Sequence, residues 1–411
     1  MRRLLRLFLV AGLLLVGYLN ARLFYQPDFT PANGQPINQD VVAQLRFLRG
    51  PMHHGAGTQM QQLYPEGFVY LNALYALAWI ELMPQSSPLS ALYRSGLNEA
   101  GWALGEIQSP AGLSQFQDTD LPLPRGAFYQ GWSAYVLGRY LAVQPPDVRD
   151  TAAVGRFRRQ CALIARSLAA SESPYPESYA GAAWPADGVM GVAALAWHDR
   201  LYLPRYQPLL RQWVRRVRGH LDSRGLIPHR AAAGSGQSAE DARGSSQSQL
   251  LNFLIEIDPT FARQQFRLYR RYFLTSRLGL PGIREAARGA PPTADVDSGP
   301  VIWDVGGAAS LVGRRTMQRY ADTTTAVGLR NSIEGFGAAL SISGNKRYLF
   351  GQLPIADAFI AWANSIEAGR EIRAAANWRG PFQLRSALVA AGLLAGLAGL
   401  RRPRRPVRGS R

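Results

Sequence analysis

Carboxylates and arginines stand beside the starts of apolar runs in this chain. "YPEGFVYLNALYALAWI" carries Tyr64 and Glu66, "LPRGAFYQGWSAYVLGRYLAV" carries Arg125, and "WPADGVMGVAALAW" carries Asp187. Arg243 opens "RGSSQSQLLNFLIEI", Asp295 and Asp297 precede "SGPVIWDVGGAASLVG", and Asp357 lies in "LPIADAFIAWANS". Two carboxylates in unlike surroundings can divide the work of general acid and general base. Asp187 is the central candidate, with Glu66, Asp295 or Asp297 as its partner. The guanidinium forks of Arg125 and Arg243 suit an anionic or hydroxylated substrate. Tyr129, Trp132, Tyr175, Tyr179, Trp184 and Trp303 offer aromatic walls for a small-molecule pocket, and Tyr64 at the first start is a further substrate-binding candidate. His229, in the loop "GLIPHR", stands within reach of it.

Each residue also has a plainer role. An acid in a first helical turn compensates the helix dipole, worth roughly 0.3–1 kcal/mol. That accounts for Glu66 and Asp187 taken singly, but not for Arg125 and Arg243, which oppose the dipole. Trp132 and Trp303, inside apolar helical patterns, also suit core packing. Asp304 interrupts "VIWDVGG" and is expected to be buried, where it needs a partner or a raised pKa. Cys161 is the only cysteine, which excludes an intrachain disulfide and a cysteine-based zinc site. No H-E-x-x-H, G-x-S-x-G or P-loop pattern occurs, and "DVDSG" lacks the spacing of a calcium loop. No metal and no cofactor are expected.

The elements that position these groups recur. Apolar helices start near residues 65, 124, 185, 243, 299 and 354, most of them at a proline suited to the first helical position. Asp241 and Ser245 can cap the fourth instead. The spacing of roughly 58 residues lies in the range of repeat architectures. Each run is apolar around its circumference, as a helix buried on all sides should be. Between them lie amphipathic patterns such as "LLRQWVRRVRGHL" and "PTFARQQFRLYRRYFL". The expected fold is all-α, an (α/α)6 toroid of inner and outer helices, with an irregular α-solenoid as the alternative. "KRYLFGQ" carries the best strand signal. The six inner starts would converge at one mouth.

The ends differ from the middle. "MRRLLRLFLVAGLLLVGYLNARLF" opens with arginines and runs uncharged from Leu7 to Ala21, a length that fits a signal-peptide core or a short anchor, and the poor cleavage site "YLNA" favours an uncleaved anchor. "SALVAAGLLAGLAGL" (386–400) is a marginal span that stops at an arginine cluster. A sorting signal is its alternative. The positive-inside rule puts both termini in the cytoplasm and a single domain, residues 25–380, on the periplasmic side of the membrane. The net charge is +18, yet only Lys346 of 46 basic residues is lysine, and six arginines crowd the last eleven residues. No nucleic-acid motif accompanies the charge, so the expected partners are the membrane and a small-molecule substrate, not nucleic acid.

From about residue 125 to 325 the chain resembles linalool dehydratase/isomerase and its relatives, extracytoplasmic (α/α)6 toroids. "YPESYAGAAWPADGVMGVAALAWHDRLY", "DPTFARQQFRLYRRYF" and "GIREAARGAPPTADVDSGPVIWDVGGAAS" carry the likeness. The resemblance implies the fold and a pocket at the inner helix starts. It also implies cysteines near Pro174 and Ala186 and a histidine near Trp132, none of which is present. With Cys161 alone, cysteine-based dehydration cannot be run. The expectation is therefore a membrane-tethered enzyme using carboxylates for lyase or isomerase chemistry. A glycoside hydrolase-like enzyme and a non-catalytic ligand-binding or scaffold relative are the alternatives.

Overall fold

The structure is a computed structural model that describes residues 1–29, 31–32, 35–293, 298–367 and 379–401. It is mostly helical. In chain order the helices are α1 (Arg2–Arg22), α2 (Gln39–His53), α3 (Ala56–Leu63), α4 (Gly67–Leu82), α5 (Ala91–Ile107), α6 (Pro110–Leu113), α7 (Gly126–Ala142) and α8 (Thr151–Ala170). There follow α9 (Pro185–Leu201), α10 (Gln207–Arg218), α11 (Gly244–Ile257), α12 (Pro259–Phe273), α13 (Gly307–Arg319), α14 (Thr323–Phe336), α15 (Pro354–Asn364) and α16 (Arg379–Arg401). The described strands are short, the longest four residues.

Five of the six expected apolar helices begin within two residues of their expected starts, as α4, α7, α9, α11 and α15. Nearly every residue of α4, α7 and α9 is buried. The amphipathic patterns become α10 and α12, which bury one face and leave their arginines outside. Asn38, Ser90, Asp150, Asp258 and Asp322 cap α2, α5, α8, α12 and α14 by accepting from first-turn N–H groups. None of the six apolar helices receives such a bond from its own N-cap side chain.

The apolar helices pack α4 on α7, α7 on α9, α9 on α11, α11 on α13, α13 on α15, and α15 back on α4. Gly131 permits the tight approach of α7 to α9, since a Cβ there would stand 2.9 Å from the Asp187 carbonyl. Their starts lie at one end. Tyr70 of α4 packs on Phe128 of α7 and Phe359 of α15, and its hydroxyl bonds Gln249 of α11. Gln249 reaches the Ala186 carbonyl of α9, and Ser248 bonds the Ala309 carbonyl of α13. Below that level Trp132, Phe253 and Trp362 fill the middle. The amphipathic α5, α8, α10, α12 and α14 each pack on one or more of the apolar six.

The fifth start departs from expectation. Helix α13 begins at Gly307, and residues 301–306 form a hairpin pairing Val301 with Gly306 and Ile302 with Val305. Trp303 and Asp304 are its two loop residues, both with positive φ, so Trp303 is 66% exposed rather than packed inside a helix. Asp304 is not buried; it pairs with Arg277 at 2.8 Å and Arg284 at 3.3 Å. Of "KRYLFGQ", only Lys346 and Arg347 belong to a strand, in a hairpin pairing 340–342 with 345–347. A third hairpin pairs 274–277 with 280–283.

Helices α1 and α16 are long and apolar enough to cross a membrane, by length and composition. They pack on each other antiparallel: Arg6 meets the Leu400 carbonyl at one end and Asn20 meets Ser386 at the other. Gly12 beside Leu393 and Gly396 beside Leu9 allow the close approach.

Candidate active site

One crossing segment links three of the helix starts. The Glu177 carbonyl accepts from Ala127 N at the start of α7, and the Ser178 carbonyl lies where a Cβ of Gly126 would be. Gly126, at φ 77°, is therefore the residue that lets the segment pass. The next two side chains reach out to either side. The buried Ser178 hydroxyl donates to Asp187 Oδ2 of α9 at 2.7 Å. The Tyr179 hydroxyl donates to Glu66, the residue before α4. Two carboxylates from different helix starts are thus oriented by adjacent hydroxyls, and both are half-buried.

Aromatic rings surround the Glu66 side. Tyr179 packs between Phe116, at 6.4 Å, and Trp184, at 6.0 Å, and Phe116 also meets Tyr129 at 5.4 Å. Burial raises the Tyr129 hydroxyl pKa, so it stays neutral. Trp132 lies deeper and is fully buried against Tyr70 and Phe253, a core position rather than a wall of the opening. Tyr64 ends α3 one turn before α4 and is half-buried.

The expected arginines are held by protein groups. Arg125 takes a left-handed backbone, φ 71°, and its guanidinium bonds the Phe116 carbonyl at 3.0 Å. Arg243 pairs with Glu240 at 2.7 Å, and Glu240 also takes Arg230. Burial works to raise the Glu240 pKa, but these two arginines prevail and lower it. His229 Nδ1 hydrogen-bonds Ser246 in the first turn of α11. Trp303 stands at the tip of its hairpin rather than with Tyr179 and Trp184. Asp295 and Asp297 lie outside the described residues.

Three groups escaped the sequence reading. Ser178 is a common residue in a loop, and nothing but its place beside Tyr179 marks it. Glu285 is fully buried and replaces a cap on α11, accepting from Ser245 N and Ser245 Oγ. The third is a charged layer at the opposite end of the six helices. There Glu81 pairs with Arg139 at 3.1 Å and Arg315 at 2.9 Å, and Glu256 pairs with Arg319 at 2.9 Å. Tyr135 and Trp197 also donate to Glu256. Burial works to raise the Glu81 pKa, yet the guanidiniums of Arg139, Arg315 and Arg319 hold it at about 2. The C-terminal ends of these helices face this layer, and cations there compensate the helix dipoles.

The thiol and two further histidines lie elsewhere. Cys161 is buried in α8, and burial keeps it a thiol by raising its pKa. His198 bonds Asp199, and His220 bonds the Arg216 carbonyl. A cleft of about 300 Å³ beside α3 and α6 is lined by Thr58, Gln61, Gln62, Phe68, Ala111, Ser114 and Gln115, with no ionisable side chain among them. Among the described residues no group of three or more histidines, cysteines or carboxylates could hold a metal. No protein-family model matches this chain, and no curated protein does.

Proposed function

We propose that the chain is a membrane-tethered, extracytoplasmic enzyme on an (α/α)6 toroid of the linalool dehydratase/isomerase-like type. Helices α1 and α16 are its anchors, and its active site opens at the starts of the six apolar helices. The closed sequence of contacts from α4 round to α15 and back supports the toroid. Asp187 and Glu66 act as general acid and base on a small hydroxylated or apolar substrate, in lyase or isomerase chemistry. The observation that carries this reading is the crossing segment: Ser178 and Tyr179 orient two carboxylates beside an aromatic wall. A dipole partner needs no hydroxyl to aim it. A carboxylate that must meet a substrate from one direction does.

The scaffold alternative draws on Arg243 and Arg125, whose bonds to Glu240 and Phe116 suit a structural role. The full-length protein, screened by thermal shift against prenyl alcohols and oligosaccharides, separates the readings. A compound that raises Tm in the wild type, with the rise abolished in Asp187→Asn and Glu66→Gln, supports the enzyme. On a substrate so found, either change should lower turnover by roughly 10²–10⁴-fold. Variants that bind every hit as the wild type does return both carboxylates to helix compensation. A family of oligosaccharide hits moves the assignment to glycoside hydrolysis.

A further inference from the structure

Outside the two terminal helices, the end of the molecule that holds the candidate site also holds most of the described exposed large apolar side chains. Ile302 and Trp303 crown one hairpin and Leu278 the next. Phe336 ends α14, Ile342 lies in the third hairpin, and Phe350 follows it; all six are exposed. These segments stand at the starts of the apolar helices: Glu285, just past the 274–283 hairpin, caps α11, and Tyr348 N bonds Asp357 in the first turn of α15. At the opposite end the described large apolar exposures are Leu89, Val148 and Leu203, each alone before a different outer helix.

Three of these rim residues are also costly where they sit. Leu278, Trp303 and Phe350 have φ of 53°, 49° and 59°. That left-handed region is the ground of glycine and asparagine in hairpin loops, and bulky side chains enter it rarely. An exposed tryptophan or phenylalanine held so gains little from water, whereas an apolar phase outside the protein would bury it. Exposed Arg46 and Arg288 stand among these hairpins.

The terminal helices join the body at this same end. Arg22 bonds the Ala339 carbonyl at 2.6 Å, Asn331 bonds the Leu23 carbonyl at 2.6 Å, and Leu23, Leu280 and Phe382 form a small apolar cluster. The tip of the 274–283 hairpin touches the start of α16, since a Cβ on Gly279 would lie 2.6 Å from Phe382 N.

We propose that this rim is a bilayer-docking surface. Trp303, Ile302, Leu278 and Phe350 enter the headgroup layer, and the neighbouring arginines meet anionic lipid. The inference rests on α1 and α16 being membrane spans, for they bring the rim to the bilayer. Aromatic side chains favour that interface, and basic residues beside them add attraction to anionic lipid. The active-site opening then faces the membrane, and its substrates are amphiphiles that partition there.

Cysteine probes on the full-length protein test this, because the single native thiol is buried. Trp303→Cys, Phe350→Cys, Leu203→Cys and Leu14→Cys are each labelled with an environment-sensitive dye. Each is reconstituted in phosphatidylcholine vesicles containing phosphatidylglycerol. The expected result is a blue-shifted dye at 303 and 350, quenched by headgroup-proximal spin-labelled lipid several-fold more strongly than at 203. A dye at 14 should be quenched by deeper labels. If 303 and 350 read water as 203 does while 14 is dry, the docking surface fails and the spans stand. If 14 reads water too, the spans fail and the docking surface with them.

Discussion

Asp357 is the residue whose titration stands out. It sits in the first turn of α15, fully buried, with Oδ1 accepting from Tyr348 N and no partner for Oδ2 among the described residues. Burial pushes its pKa up to about 7, against smaller lowering from the Tyr348 N–H and Arg347. The folded state therefore holds a proton that the unfolded chain releases near pH 4. Its contribution to stability is complete below that pH and is lost as pH rises from about 4 to 7. Asp357→Asn should remove this decline and leave the protein more stable than wild type at pH 8, by on the order of 1–3 kcal/mol. Denaturant melts from pH 4 to 8 check it; parallel curves for the two proteins would contradict the buried titration. Asp187 is the contrasting case. It has both the first-turn position that suits a dipole partner and the Ser178 hydroxyl that aims it, and the variant series above separates the two.

The six apolar helices are treated differently at their two ends. Their starts lack side-chain caps of their own and are met by neighbouring segments instead, Glu177 over α7 and Glu285 over α11. Their C-terminal ends are sealed by the layer of Glu81, Glu256, Arg139, Arg315 and Arg319. A buried pair is weak evidence for stability, but removing one partner leaves an uncompensated charge. Glu81→Gln should therefore destabilise by roughly 3–5 kcal/mol, read as a lower denaturant midpoint at unchanged slope. Glu81→Gln with Arg315→Met should recover part of that loss, because the orphaned guanidinium is gone with its partner. A neutral single variant would mean that water reaches the layer and screens it.

For the whole molecule, the antiparallel contact of α1 and α16 puts Arg6 and Leu400 on one side of any membrane these helices cross. In the proposed topology the outward-flanking arginines hold that side in the cytoplasm. Reporter fusions at both termini should be cytoplasmic, while one inserted at the exposed turn near Gly234 should be extracytoplasmic. A C-terminal reporter outside the cell membrane would overturn the two-anchor topology.

The sequence by itself determined the six apolar helices, five of their starts, the wet faces of α10 and α12, and the two terminal helices long and apolar enough to cross a membrane. Each follows from local periodicity and capping chemistry, which a single segment carries. It also marked Glu66, Asp187 and Tyr179 as residues of interest, because charge beside an apolar run is visible in one dimension. None of the three hairpins was anticipated: the strand signal in "KRYLFGQ" touched only Lys346 and Arg347 of one, and the loops Leu278-Gly279 and Trp303-Asp304 put bulky residues at left-handed positions. That is why 301–306 read as a helix start. Only the tertiary structure decided which acids share a neighbourhood. Ser178 and Tyr179 bring Asp187 and Glu66 under one segment because that segment crosses the start of α7, a contact between residues over a hundred positions apart for Tyr179 and Glu66. The pairing of Glu81 with Arg315 has the same origin. Long-range contacts of this kind depend on where packed helices end in space, and no local pattern encodes that.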